Sequence, residues 1–382
     1  MQHSSGNNGD ASRSTGEAYP LPTKLKTTDA AGATSDISAA NPLPVFVTDF
    51  SDLPAMSITK LDSSTPVLTK TGAATVSLKA GTSAKLPTGR AVYFPADTVV
   101  TMPALAAGTD YAVYVTPDGN VVASANFSAP AGYNAATILK IGGFHYANGG
   151  NATAQAGGDA TAAINAYSLW DLKFKPACLD ARGMTLVAGA FWCDIYLTGT
   201  NPDVDGTSKF GATIADGSSP AKIPAMFGGN GTTDYGAFKW WHALEVGYSA
   251  GKQLLDYAEF CAAAYGTTEG TNVTGSADPG TTQRDADHTS RWGVMQATGN
   301  MYIWGRGDAL DPSAATAFAW SATTESRGSI YQSGGGLKAP LFGGAWDFGS
   351  TCGSRSCYWV DAPSNSTGGI GARFRCDHLV LT

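Results

Sequence analysis

The chain has 382 residues, of which only 14% are charged and 47 are glycine. That balance disfavours long charged helices and favours short strands joined by Gly and Pro turns. A formal net charge of -7, a pI near 5.2 and the lack of any basic run argue against nucleic acid as a partner, because phosphate binding needs clustered Lys and Arg.

The first ten residues, Met1–Asp10, are polar and lack the apolar core of a secretory signal, so synthesis in a cytoplasm without export is expected. The longest apolar stretch, Met184–Cys193, falls well short of the roughly 20 residues that span a bilayer, so no membrane insertion is expected. Six cysteines, Cys178, Cys193, Cys261, Cys352, Cys357 and Cys376, are sparse and scattered. In a cytoplasmic product they are expected to be reduced and mostly buried.

The length allows two or three domains. Residues 1–50 are rich in Ser, Gly, Asn and Pro, and between Pro20–Pro22 and Pro42–Pro44 the stretch Lys24–Ile37 predicts a hairpin around Asp29–Gly32. We read 1–50 as an N-terminal β segment for attachment or oligomerisation. In residues 51–165, period-2 alternation over Ala74–Leu78, Ala91–Phe94, Tyr111–Val115, Val121–Ser124 and Ile138–Phe144 predicts strands. Pro117, Asp118, Gly119 and Asn120 predict a hairpin turn, since Asp and Gly tolerate positive φ. A β-sandwich is the expected outcome. Residues 147–165, with little apolar patterning, are expected to form a linker or long surface loop, with a domain boundary near 165.

The third region, 166–382, opens with an expected continuous apolar strand, Thr185–Leu197, followed by two helices. The second helix has Asp256 as N-cap, Glu259 as its capping-box partner, Leu255 and Phe260 as a hydrophobic staple, and Gly266 as its stop. Gly-rich loops and aromatic strands, including Met301–Trp304 and Leu341–Trp346, complete the chain. The expected fold class is β-rich α+β.

Candidate chemistry is thin. Glu259 is explained by capping, and nothing sets Glu245 across a cleft from it. Asn201, Asp203, Asp205 and Gly206 imitate the start of a calcium loop, yet the ninth and twelfth positions are Lys209 and Ala212, where ligands are needed. Cys352, Cys357, Cys376 and His378 lack paired zinc-ligand spacing. His145, His242 and His288 lack a Ser or Cys partner at a recognised spacing and read as core or surface histidines. No catalytic residue, metal or cofactor is therefore expected. The aromatic residues crowded between glycines after residue 300 are expected to fill a core and to line a binding face as well.

Five landmarks in order, GKQLLDYAEFCAAAYG from Gly251, GNMYIWG from Gly299, RGS from Arg327, GGAW from Gly343 and GARFRC from Gly371, resemble the C-type lectin fold in its formylglycine-generating-enzyme-like branch. TMPALAAGTDYAVYV from Thr101, NFSAPAGY from Asn126, SLWDLKFKPACLDARGMTLVAGAFWCDIYL from Ser168, LFGGAW from Leu341 and CDHL from Cys376 resemble the major tropism determinant family, the phage receptor-binding variable proteins of diversity-generating retroelements. The likeness runs from Ser51 to Thr382, and residues 1–50 do not share it.

The resemblance implies a homotrimeric, non-enzymatic tail-fibre protein at the tip of the virion, made in the host cytoplasm. It would determine host tropism by binding a bacterial cell-surface receptor, itself a protein. It also implies slots rewritten by adenine-directed mutagenesis within a fixed framework. Setting the framework on this chain leaves twelve slots: Ala345, Asp347, Phe348, Gly349, Thr351, Tyr358, Val360, Asp361, Asn365, Thr367, Gly369 and Ile370. Randomised AAY codons can never encode Lys, Glu, Gln, Met or Trp, and every slot obeys this, while Trp346 and Trp359 fall outside. Two alternatives remain open: a diversified ligand-binding protein of another particle or cell surface, and an oxidoreductase using Cys352 and Cys357. Cys352 lies further beyond GGAW than the pattern of that enzyme family requires.

Overall fold

The computed structural model describes residues 57–310 and 336–381, with the backbone of the paired strands Lys26–Thr28 with Thr34–Asp36 and Phe318–Ala322 with Ser329–Ser333. The chain divides into two units, Met1–Asp52 and Leu53–Thr382. In the first, Lys26 pairs with Asp36 and Thr28 with Thr34, antiparallel, which is the hairpin expected there. Its turn, Asp29–Gly32, lies outside the described residues.

The second unit begins with short strands, of which Thr75–Leu78 and Ala91–Phe94 fall where alternation predicts them and Ser57–Thr59, Leu68–Gly72, Thr82–Lys85 and Thr98–Val99 fall outside the predicted runs. Two three-stranded sheets, Ser57–Thr59, Thr82–Lys85 and Ala91–Phe94, and Leu68–Gly72, Thr75–Leu78 and Thr98–Val99, share one apolar core with a five-stranded sheet centred on Thr109–Val115. Val76, Leu78, Val113, Val115 and Ile141 in that core have no exposed surface. Each such side chain stabilises the fold by roughly 1.5–3 kcal/mol relative to leaving it in water. The Thr109–Val115 and Val121–Ser124 hairpin closes through Thr116 N–H donating to the Asn120 carbonyl at 3.0 Å, with Gly119 at φ +85.

Residues 147–165 are not a free tether. Ala163–Ile164 pairs with the end of Leu139–Ala147. Gly157 N–H donates to the Gly266 carbonyl at 2.9 Å, Gly158 N–H to Ala286 at 2.8 Å and Ala152 N–H to Ser290 at 3.1 Å. Low apolar content suggests a solvated loop; the segment instead satisfies its backbone groups against a neighbouring loop.

The expected single strand Thr185–Leu197 is a hairpin, Met184–Val187 against Phe191–Asp194. Ala188 at φ +51 and Gly189 at φ +70 turn the chain between them. Gly189 is the only local mark of this turn, and a lone glycine inside an apolar run reads equally as a bulge. The hairpin joins a sheet ordered Phe174–Pro176, Phe374–Val380, Phe191–Asp194, Met184–Val187, so the last strand of the chain pairs with one near residue 174.

Among the described residues three α-helices follow where two are expected: α1 (Pro202–Asp205), a single turn, α2 (Trp240–Ser249) and α3 (Tyr257–Ala263). The signals for α3 act as expected: Glu259 N–H donates to Asp256 Oδ1 at 2.8 Å, and Asp256 N–H to Glu259 Oε2 at 3.0 Å. Leu255 and Phe260 share one apolar cluster, and Gly266 beyond the helix has φ +105.

Charges inside this region are held by specific partners. Lys252 Nζ lies 2.6 Å from Asp194 Oδ1 and 2.8 Å from Thr207 Oγ1. The Arg373 guanidinium, 1% exposed, donates to the carbonyls of Asp194, Ile195, Met295 and Gln296 at 2.9, 2.6, 2.6 and 3.1 Å. One cation thus closes four backbone acceptors, two at the end of the strand Phe191–Asp194 and two in the loop around Met295. No helix among the described residues is long and apolar enough to cross a membrane.

Candidate functional site

A second sheet, Cys357–Tyr358, Leu341–Phe342, Tyr302–Trp304 and Ile370–Gly371, carries the C-terminal loops. Tyr302–Trp304 runs antiparallel to Leu341–Phe342 and parallel to Ile370–Gly371, which brings distant parts of the chain side by side. After Phe342 the chain turns through Gly343 and Gly344 at φ +92 and +88. A Cβ on Gly344 would stand 2.4 Å from Cys352 Sγ, so only glycine fits there. The Cys352 thiol then reaches the Ala345 carbonyl at 3.3 Å, which ties the start of the slot-bearing segment to the framework.

Other anchors lie outside the slots. The Glu269 carboxylate accepts Ser354 N–H at 2.9 Å and the Ser354 hydroxyl as well. Asn272 Nδ2 donates to the Trp346 carbonyl, and Lys338 Nζ to the Val360 carbonyl at 2.8 Å. Phe238 N–H donates to Ser366 Oγ at 2.9 Å, and Gly217 N–H to the Thr367 carbonyl at 3.0 Å.

The slots Ala345, Asp347, Phe348, Tyr358, Asp361, Asn365, Thr367, Gly369 and Ile370 line one hollow of ≈ 520 Å³. Gly349, Thr351 and Val360 are outside its lining, although Thr351 and Val360 are exposed. Two slots are not free surface positions: Ala345 and Ile370 are 2% and 3% exposed and belong to an apolar cluster with Trp304 and Phe374. Substitution at these two positions would therefore touch the core. Ile370 pairs with Tyr302 and Ala345 bridges Asn300, so both side chains face inward from paired backbone.

Five residues outside the slots complete the hollow: Ser218, Asp278, Tyr302, Trp346 and Gly368. Tyr302 and Trp346 belong to the aromatic crowding after residue 300. Ser218 and Asp278 come from loops far away in sequence, where Asp-x-Ser and Asp-Pro-Gly signals mark turns but not their destination. The Tyr302 ring meets Phe348 edge to face at 4.9 Å and Tyr358 at 5.7 Å between centroids. Burial, followed by neighbouring Cys352, Tyr358, Asp347 and Asp361, pushes the Tyr302 phenol up to about 12. Burial, with Asp347 behind it, pushes the Cys352 thiol up to about 11. Both therefore stay protonated near neutrality.

The remaining candidates do not converge. All six cysteines are free thiols. Cys376 Sγ sits 3.9 Å from Met184 Sδ, while His378 Nδ1 accepts Trp192 Nε1–H at 2.9 Å, well apart in role from Cys352 and Cys357. Asp203 accepts Ala225 N–H at 2.8 Å and Asp205 pairs with Lys209, so the calcium-like run forms a turn and α1. Tyr235 donates to Glu245 at 2.6 Å. His145 sits between Asp110 and Tyr196, each at 3.1 Å, and His288 lies 3.0 Å from Thr298 Oγ1. Among the described residues no group of three or more His, Cys, Asp or Glu forms a metal site.

Comparison with known proteins agrees with this geometry. Residues 66–171 match the family model described as the Mtd second domain. The chain is 50% identical over 337 residues to the tail fiber receptor-binding protein of Bordetella phage BPP-1, covering 86% of this chain and 87% of that protein. Solved structures of the Major Tropism Determinant U1 and M1 variants match with TM-scores of 0.81 and 0.82 at 47% identity, over 95% of this chain and 96% and 97% of theirs. The β-rich α+β architecture with a C-terminal C-type lectin fold is thus theirs too. By sequence and by structure along nearly its whole length, the chain belongs to the major tropism determinant family.

Proposed function

We propose that this chain is a phage tail-fibre receptor-binding protein that chooses a bacterial host through retroelement-rewritten side chains around the hollow. The observation that carries the reading is that nine slots chosen from sequence line one cavity, whose other walls are fixed framework. Exchange of most slots alters a surface, and surface changes usually move stability by no more than about 0.5 kcal/mol. Core truncations cost about 2–5 kcal/mol. The receptor is a bacterial surface protein, and the protein works without catalysis, its thiols near the site being held protonated.

The domain plan that goes with this reading has 1–50 for attachment or oligomerisation, 51–165 as a β-sandwich and 166–382 as the variable lectin-like domain. A homotrimer at the fibre tip would turn weak single contacts into firm attachment through effective concentration. The test is a triple substitution, Phe348→Ala with Tyr358→Ala and Val360→Ala, in the full chain. Adsorption to a panel of bacterial strains should change while the melting temperature moves by no more than about 4 °C. Unchanged adsorption with an intact fold would overturn the proposal.

A further inference from the structure

The hollow is not electrically neutral. Three of its lining residues, Asp278, Asp347 and Asp361, carry carboxylates, and no Lys, Arg or His lines it. Among the described residues, no ion pair engages any of the three. Lys338, outside the lining, is committed to the Val360 carbonyl. Beside these carboxylates stand the faces and edges of Tyr302, Trp346, Phe348 and Tyr358. Carboxylates around aromatic faces are the environment that an ammonium or guanidinium prefers, since both the charge and the ring quadrupole attract a cation.

Part of this environment does not depend on the slots. Asp278, Tyr302 and Trp346 lie outside them. Asp278 Oδ1 is taken by Gly280 N–H at 2.9 Å, whereas Oδ2 points toward Gly368, 3.9 Å from where a Cβ on that glycine would stand, between slots Thr367 and Gly369. A carboxylate oxygen thus remains at the wall whatever the slots encode.

We propose that the hollow has a built-in preference for a cationic side chain, so the partner it fits is a protein segment presenting an exposed Arg or Lys. The preference rests on the receptor-binding reading above and deepens it. Slot residues then select the surroundings of that cation, while Asp278, Tyr302 and Trp346 supply the constant part. A volume of ≈ 520 Å³ accommodates the basic side chain together with its neighbours. Anionic surface polysaccharides would be repelled.

A random peptide library panned on the immobilised full chain tests this. Peptides selected by the native chain should be enriched in Arg or Lys. Replacing those residues with Gln in a selected peptide should weaken its binding at least about tenfold. Joint Asp278→Asn, Asp347→Asn and Asp361→Asn substitution should do the same, with Asp278→Asn alone producing part of the effect. Selected peptides without basic enrichment, no selection at all, or binding indifferent to the Gln exchange would overturn the inference, whether or not the Asn variants fold. If non-basic peptides are selected and lost on Phe348→Ala with Tyr358→Ala, only the cation preference fails. If selected peptides ignore those two aromatic substitutions as well, the receptor-binding reading fails with it.

Discussion

Tyr302 supports Phe348: the two rings meet at 76° with centroids 4.9 Å apart, Tyr302 6% exposed and Phe348 42% exposed. A buried ring on a central strand therefore carries a half-exposed ring on a loop. The arrangement predicts unequal costs for the same truncation. Phe348→Ala should cost about 1 kcal/mol, the scale of one partly exposed aromatic pair. Tyr302→Ala should cost about 3–5 kcal/mol, as for a large buried side chain. Urea unfolding of the two variants separates the cases, and equal losses would show that the slot ring is itself part of the core.

His242 should make the fold acid-sensitive. Its Nδ1 lies 2.6 Å from the Ala237 carbonyl and donates to it, its ring stacks on Tyr235 at 4.2 Å, and Nε2 is buried without a partner. Burial is the main reason that its pKa is lowered to about 4 from 6.5, because a second proton would sit on the orphaned Nε2. A histidine with a depressed folded-state pKa contributes its full stability above about pH 6.5 and loses it as pH falls toward 4, where the unfolded chain binds the proton and the folded one does not. The loss is about 3 kcal/mol at pH 4. Unfolding midpoints at pH 7 and pH 4.5 should fall further in the native chain than in His242→Gln; an identical fall in both would exclude this origin.

Local chemistry is readable wherever neighbours in sequence satisfy one another. The Asp256–Glu259 capping box and the Asp118–Gly119 turn are of that kind, since each bond closes within a few residues, and the alternating strands are legible through their period of two even though their partners lie far along the chain. The hairpin turn at Ala188–Gly189 is hard to read because a lone glycine in an apolar run marks a bulge as readily as a reversal. Ser218 and Asp278 reach the hollow only through tertiary contacts, which no local pattern records. The burial of Ala345 and Ile370 escapes for the same reason: both positions are placed by resemblance along the sequence, but pairing with the backbone of Asn300 and Tyr302 sets them into the core.

Arg373 should resist its usual replacement. Its planar fork serves four carbonyls from the Asp194–Ile195 and Met295–Gln296 backbones, and burial lowers its pKa without a carboxylate bonded to it. A lysine ammonium cannot reproduce that fork. Arg373→Lys leaves buried acceptors unpaired and should cost about 3 kcal/mol or more. Chemical denaturation measures this, and a loss below about 1 kcal/mol would mean that the loops hold together through other contacts.

Gly344 offers a way to disturb the site without changing any slot. Its φ of +88, and the 2.4 Å that would separate an added Cβ from Cys352 Sγ, mean that Gly344→Ala must shift either the Cys352 loop or the Ala345 segment. The strain of the left-handed backbone alone is about 1–2 kcal/mol. By contrast Gly349, at φ +52 with nothing within 4 Å of its Cβ position, should accept Asn, which tolerates that conformation. Gly344→Ala should therefore lower the melting temperature and weaken bacterial adsorption together, whereas Gly349→Asn should leave the melting temperature near that of the native chain. Because Asp347 and Phe348 lie directly downstream of the Gly344 turn, normal adsorption by a folded Gly344→Ala protein would mean that the turn does not govern how the slots are presented.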